Sequence, residues 1–220
     1  EAPSARPRQK AWGESSGMRR SPVTKREYIV CLNERVDRGH EETALRWAPR
    51  DRGATADEEG PMLFGRDKRG HFFLQVDADG DEWFPMAPVV MANWASAKAC
   101  AAWCRGRTRQ GWRLPFEMEW EKAARGVDGR TFPWGETFNP AWACIHTSHP
   151  GQPTLPTIQQ YPMDKGPYGV QGMAGGVRDW CRDGFTKGGY PVGDGGIFDP
   201  NAFMEPSLVP LRVNRGGGWL

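Results

Sequence analysis

The chain has 220 residues, enough for one large domain, with a net charge of +2 and a mean hydropathy of −0.68. So balanced a charge gives no electrostatic argument for nucleic acid, and no apolar run is long enough to span a membrane. With 11 Trp and 10 Phe to furnish a core the composition is not that of a disordered chain, and 28 Gly and 19 Pro point to a loop-rich fold of short elements.

Residues 1–20 are polar and predict a flexible arm or linker. The first ten carry no apolar core of the secretory type, so a cytoplasmic chain is the default expectation. Pro22-Val23-Thr24-Lys25-Arg26-Glu27-Tyr28 opens a helix. Thr24 and Glu27 have capping-box spacing, and Tyr28, Cys31, Leu32 and Val36 form an apolar stripe. Residues 49–60 are charged and irregular and predict a loop. His71-Phe72-Phe73-Leu74-Gln75-Val76 predicts a strand, bounded by Gly70 and by Asp77-Ala78-Asp79-Gly80-Asp81. That Asp cluster lacks the Gly and closing Glu of an EF-hand loop, so it predicts a turn.

Pro88-Val89-Val90-Met91-Ala92-Asn93-Trp94 predicts a buried strand running into a second helix capped by Asn93. The face of that helix joins Trp94, Ala97, Ala101 and Cys104, with Cys100 and Trp103 beside it. The stretch from Trp112 to Gly126 predicts a turn and an amphipathic helix. Pro115 biases Leu114 toward an extended backbone. Glu117 and Glu119 load the first turn with negative charge. Trp120, Ala123 and Ala124 share a face, and Gly126 is a ready C-terminal stop. Residues 136–160 and 186–206 read as long loops. The five cysteines, Cys31, Cys100, Cys104, Cys144 and Cys181, are odd in number and predict reduced, mostly buried thiols rather than a disulfide framework.

Several of these strings are specific. Arg113-Leu114-Pro115-Phe116-Glu117-Met118-Glu119-Trp120-Glu121-Lys122-Ala123-Ala124-Arg125-Gly126 closely resembles the RLPTEAEWEKAARG signature of the formylglycine-generating-enzyme (FGE) or sulfatase-modifying-factor family. The opening at Pro22 resembles PVTNxEY, with Lys25 where Asn is usual. Residues 88–103 resemble PVxxVSWxDAxAYCxW, residues 128–135 resemble DGRxYPWG, residues 168–180 resemble YGVxDMAGNVxEW and residues 213–219 resemble VxRGGSW. The matches run in family order from Pro22 to Trp219, and the combination around Gly172, Trp142-Ala143-Cys144 and Arg178-Asp179-Trp180-Cys181 looks most like the version fused to bacterial serine/threonine kinases.

The resemblance implies an α+β fold, C-type lectin-like and of the FGE type. It would be loop-rich, with two or three short helices on small twisted antiparallel sheets, its first and last strands missing, and a domain over 21–220 incomplete at the C-terminus. The family includes a copper-dependent oxidase that turns a sulfatase cysteine into formylglycine. Its reactive cysteine pair follows the RGGSW strand, so copper is expected only if cysteines lie beyond Leu220. A related branch binds nonheme iron through a motif that nothing before Pro22 matches. The family's calcium turn corresponds to Gly175, Val177 and Asp179, but Gly172 and Gly176 have lost side chains there. Cys144, His146 and His149 form a ligand-rich cluster suited to a soft metal, for which chance placement on a loop is the plainer reading.

No GxxxxGK[ST], HExxH or GxSxG motif is present. The expectation is therefore a non-catalytic module that binds a protein or small molecule through loops, with Trp134, Trp142 and Tyr190 as anchors. No cofactor is certain; calcium is the possible one. The alternatives are the copper oxidase, a regulatory domain beside an upstream kinase, and a variable protein of a diversity-generating retroelement, since that scaffold carries such surfaces.

Overall fold

A computed structural model describes residues 16–52, 59–76, 80, 83–148, 155–185 and 211–218. Within them the fold is α+β, with short helices against three two-stranded antiparallel sheets. Helix α1 spans Lys25–Asp37. Thr24 Oγ1 accepts the Glu27 N–H at 3.3 Å, and the Glu27 carboxylate accepts the Thr24 N–H at 3.0 Å. This is the reciprocal cap that the spacing predicted. Tyr28, Cys31 and Leu32 are at most 1% exposed. Burying Tyr28 and Leu32 contributes roughly 1.5–3 kcal/mol each.

A second helix, α2 (Glu41–Trp47), was not anticipated. It has no side-chain cap, and its stability comes from docking Ala44 against α1. The Tyr28 hydroxyl donates to the Trp47 carbonyl at 2.8 Å and fixes the end of α2. Strands β1 (Arg50–Arg52) and β2 (Glu59–Met62) pair across what the sequence suggested was only loop. Strands β3 (Phe64–Arg66) and β4 (Phe72–Leu74) form the next hairpin, with Phe64 opposite Leu74 and Arg66 opposite Phe72. The predicted strand over 71–76 is thus real but only three residues long. The Asn33 side chain of α1 takes the Phe72 N–H at 2.7 Å and gives an N–H to the Phe72 carbonyl at 3.0 Å, so a side chain takes the part of a neighbouring strand.

The run from Pro88 to Trp94 is corrected by the structure. It makes one isolated bridge, Thr24 to Pro88, through the Val89 N–H to the Val23 carbonyl and the Lys25 N–H to the Ala87 carbonyl. Met91, at φ 56°, breaks any extension into a ladder. Helix α3 follows at Trp94–Thr108, and Asn93 caps it by accepting the Ser96 N–H at 2.9 Å. Its buried positions are Ser96 and Cys100. The inward face is therefore rotated from the predicted Trp94–Ala97–Ala101–Cys104 line, because α3 lies between α1 and the C-terminal sheet.

Helix α4 spans Glu117–Arg125 and ends at Gly126, φ +66°. Trp120, Ala123 and Ala124 are buried as predicted. Strands β5 (Asp179–Gly184) and β6 (Arg212–Arg215) pair with Asp179 opposite Arg215, and carry Cys181 and Val213 into the same core as α4. Two indoles join this sheet to α3. Trp94 Nε1 donates to the Cys181 carbonyl and Trp180 Nε1 to the Ala92 carbonyl, both at 2.8 Å. Residues 18–20, read from sequence as the end of the arm, are docked. Met18 packs on the α4 core, and the Arg20 carbonyl accepts the Gln171 N–H at 2.7 Å. No described helix is long and apolar enough to cross a membrane.

Candidate ligand-binding face and its supporting turn

The DGRTFPWG loop leaves α4 and is fastened at several points. Arg125 donates to the carbonyls of Arg130 and Gly129 at 2.7 and 2.8 Å, and to Glu121 at 2.9 Å. Arg130 grips Asp128, whose carboxyl that guanidinium pulls down to about 2. Phe132 and Gly135 exchange backbone hydrogen bonds at 2.8 and 3.0 Å. Gly135, at φ +137°, takes a backbone position closed to most side chains.

On this fixed loop four rings meet. Phe132 and Trp134 stack with centroids 5.4 Å apart and planes within 4°. Trp134 and Trp142 meet edge to face at 5.8 Å, and Phe132 and Phe138 lie 5.7 Å apart with planes tilted by 44°. Trp134 Nε1 is anchored on the Thr137 carbonyl at 2.8 Å. Both tryptophans stay partly accessible, and Phe138 is 57% exposed. The structure thus brings together Trp134 and Trp142, and adds Phe132 and Phe138, which the sequence left unassigned. Their signal was present as Phe132-x-Trp134, but spacing alone does not say that rings stack. Tyr190 lies outside the described residues.

Pro167 lies beside Gly126 at the end of α4, and the Tyr168 next to it is 57% exposed. Tyr168 lies near enough to Arg130 to influence it electrostatically. An open cleft of about 520 Å³ adjoins it, lined by Met18, Arg20, Lys165, Pro167, Tyr168 and Val170. That volume suits a small ligand, and its rim is basic through Arg20 and Lys165.

Beneath lies the turn over 172–179. Asp164, 2% exposed, accepts the backbone N–H groups of Ala174 and Gly175, both at 2.9 Å. Burial outweighs these bonds and raises its carboxyl to about 6. Asp179 is also raised to about 6, first by burial, although Trp120 Nε1 donates to its Oδ2 at 2.9 Å. Of the residues matched to a calcium turn, Asp179 therefore holds an indole. The Gly175 carbonyl accepts the Val177 N–H at 3.1 Å, and Val177 is buried. Gly175 is wedged so tightly that a Cβ would lie 2.5 Å from the Cys144 carbonyl oxygen. Asp164 was missed in the sequence, where nothing marks the acid of Met163-Asp164-Lys165 as buried.

Cys144 is 1% exposed and hydrogen-bonded to the Tyr161 hydroxyl, and burial raises its thiol. His146 is exposed on a 3-10 turn, and His149 lies outside the described residues. Among the described residues no three His, Cys, Asp or Glu side chains are grouped so as to hold a metal ion.

A loop-rich α+β scaffold whose helices and short sheets carry a fastened aromatic loop defines the structural class. The sulfatase-modifying factor enzyme 1-like domain matches residues 1–220, and the chain belongs to that family. It is 33% identical over 148 residues to the formylglycine-generating enzyme of Streptomyces coelicolor, covering 62% of this chain and 43% of that protein. It is 35% identical over 133 residues to the serine/threonine-protein kinase pkn1 of Chlamydia pneumoniae, covering 60% of this chain and 19% of the kinase. The mouse protein named inactive C-alpha-formylglycine-generating enzyme 2 is 30% identical over 142 residues, 60% of this chain and 38% of that one. The chain thus spans less than half the length of each. The fold matches that of PvdO from Pseudomonas aeruginosa with a TM-score of 0.58 at 20% identity, over 91% of this chain and 67% of that one.

Proposed function

We propose that the chain is a non-catalytic binding module on an FGE-type, C-type lectin-like scaffold. The observation that carries this reading is the fastened loop with its four rings, Phe132, Trp134, Phe138 and Trp142; Arg130 of the same loop interacts electrostatically with Tyr168, which lines a cleft with a basic rim. Rigid, partly exposed aromatics give contact area at little entropic cost. A second support is what has replaced polar side chains at the family positions. Lys25 is buried with its Nζ 3.2 Å from the Trp83 ring centroid, and Phe116 is buried between the guanidinium groups of Arg113 and Arg182. Both serve packing. The turn over 172–179 closes, on this reading, on its own carboxylates rather than on calcium.

The relationship to kinase pkn1 fits a sensory or regulatory domain beside a catalytic one. The relationship to the Streptomyces enzyme keeps the copper oxidase as a second reading, with its thiolates beyond Leu220. The retroelement variable protein has no comparable support.

The test is screening of the protein on peptide and glycan arrays, followed by Trp142→Ala and Phe138→Ala. The expected result is a ligand whose binding falls at least about tenfold in both variants with an unchanged unfolding midpoint. Conversion of a cysteine to formylglycine in a sulfatase-derived peptide, with stoichiometric copper(I), would overturn the reading in favour of the oxidase.

A further inference from the structure

The cleft beside Tyr168 has fixed walls. Lys165 and Gln171 face each other in an antiparallel bridge, and the Gly166 N–H reaches the Val170 carbonyl at 2.8 Å. The Gly166 carbonyl accepts the Gly169 N–H at 2.9 Å, which puts Pro167 and Tyr168 at the corners of a tight turn. Proline presets the first corner, and Gly169, at φ +84°, takes the left-handed position that closes such a hairpin. The hairpin is docked on the end of α4, where a Cβ on Gly126 would lie 2.8 Å from Pro167 Cγ. The facing wall is the entering chain at Met18 and Arg20. Met18 packs on the α4 core, and the Arg20 carbonyl accepts the Gln171 N–H at 2.7 Å. Both walls keep their shape before a ligand arrives, which lowers the ordering cost of binding.

The charge in the cleft is one-sided. Arg20 and Lys165 line it, and no Asp or Glu does. Among the described residues neither cation is in an ion pair, whereas the adjacent Arg19 is held by Glu27 at 2.8 Å. The acid next to Lys165 in sequence, Asp164, is buried and taken up by the Ala174 and Gly175 N–H groups. Two cations in one concave site raise its potential and favour an anion there. The rest of the lining offers apolar surface from Met18, Pro167, Val170 and the exposed Tyr168 ring. A ring on a rigid turn gives contact area at low entropic cost.

We propose that this cleft binds a small organic anion, its carboxylate or phosphate held by Arg20 and Lys165 and its apolar body packed on Tyr168, Pro167 and Met18. The guanidinium offers paired N–H donors to either oxyanion, and the ammonium adds a point charge. The volume of about 520 Å³ is in the range of small-molecule sites. The proposal rests on the reading of the chain as a binding module and names the ligand class of its cleft.

The probes are benzoate, phenyl phosphate and benzylamine, one ring with three head groups, titrated into the full chain and followed by amide NMR. At least one of the two anions should shift the Tyr168, Gly169 and Val170 amides in a saturable way, and the tighter of them tells carboxylate from phosphate. Benzylamine should not bind. Arg20→Ala combined with Lys165→Ala should weaken binding at least about tenfold, while Lys165→Arg keeps it within about threefold. Both side chains are exposed, so the unfolding midpoint should not move. Lys68→Ala, an equal loss of charge on the β3–β4 turn, should leave binding unchanged, as should Trp142→Ala. Shifts that do not saturate, equal binding of benzylamine, a double variant that binds like wild type, or an equal loss in Lys68→Ala would each overturn the proposal. The two readings fail separately. Array binding that depends on Trp142 and Phe138 without anion binding would remove the cleft's ligand and leave the module, and saturable anion binding without an array ligand would do the reverse.

Discussion

The carboxylate of Asp183 caps a helix to which it does not belong. Its Oδ2 accepts the Glu117 N–H at 2.7 Å across 66 positions of sequence. Phe116 stands at the N-cap of α4 with no side-chain oxygen to offer, where the RLPTEAEWEKAARG signature that this stretch resembles has Thr. Only half of the capping box survives locally, the Glu119 carboxylate accepting the Phe116 N–H at 2.8 Å. Asp183, fully buried on β5, satisfies a different end group from the sheet, the first helical N–H at Glu117. Asp183→Ala should lower unfolding free energy by about 1–3 kcal/mol, and Asp183→Asn, which keeps an acceptor, by less. Urea midpoints of the three proteins check this.

Asp164 gives a pH signature. Its ordinary value is 3.8 and its folded value about 6. Between pH 4 and 6 the folded state holds a proton that the unfolded state has released. Stability therefore falls as pH rises through that window, and the full penalty, roughly 3 kcal/mol, is present above it. Asp179 works in the same direction. Measured at pH 4 and pH 7, wild type should lose stability relative to Asp164→Asn, and a constant difference between the two would show that burial does not govern this carboxyl.

Backbone contact makes two glycines irreplaceable. A Cβ on Gly166 would lie 2.1 Å from the Ala123 carbonyl oxygen, and one on Gly217 2.2 Å from that of Ala174. Neither oxygen is at the end of a flexible side chain. Gly166→Ala and Gly217→Ala should each destabilise by more than about 2 kcal/mol. Gly111→Ala, with nothing within 4 Å, should be near neutral by thermal unfolding.

Calcium should have little to hold. With the Asp179 carboxylate on the Trp120 indole and the Gly175 carbonyl on the Val177 N–H, millimolar calcium is expected to raise the melting temperature by less than about 1 °C. A rise that saturates with calcium and is reversed by chelator would restore the ion to the turn.

The helices were legible because their signals are local. Thr24 with Glu27, Asn93, and Gly126 sit within a few residues of the ends they define. The hairpins were harder. β1 and β2 carry charged and glycine residues that read as loop, and β4 keeps three of six predicted positions because Asn33, from another element, completes its bonding. In the candidate site, Trp134 and Trp142 stood out as large aromatics on a loop. Asp164 did not, since it acquires its meaning from backbone partners ten and eleven positions further on. Family strings placed the segments in order, but they carry no information on which buried acid holds the end of a helix.

The paired indoles of Trp94 and Trp180 have a bearing on how the chain reaches this state. Their bonds to Cys181 and Ala92 close across 87 and 88 positions, and those of Arg215 to Glu117 and Glu121 across 98 and 94. The helices can gather early from neighbours in sequence, yet none of these four clasps forms until β5 and β6 return. Assembly of this chain is thus expected to be slow for its size, with apolar helix faces open to other molecules during the wait.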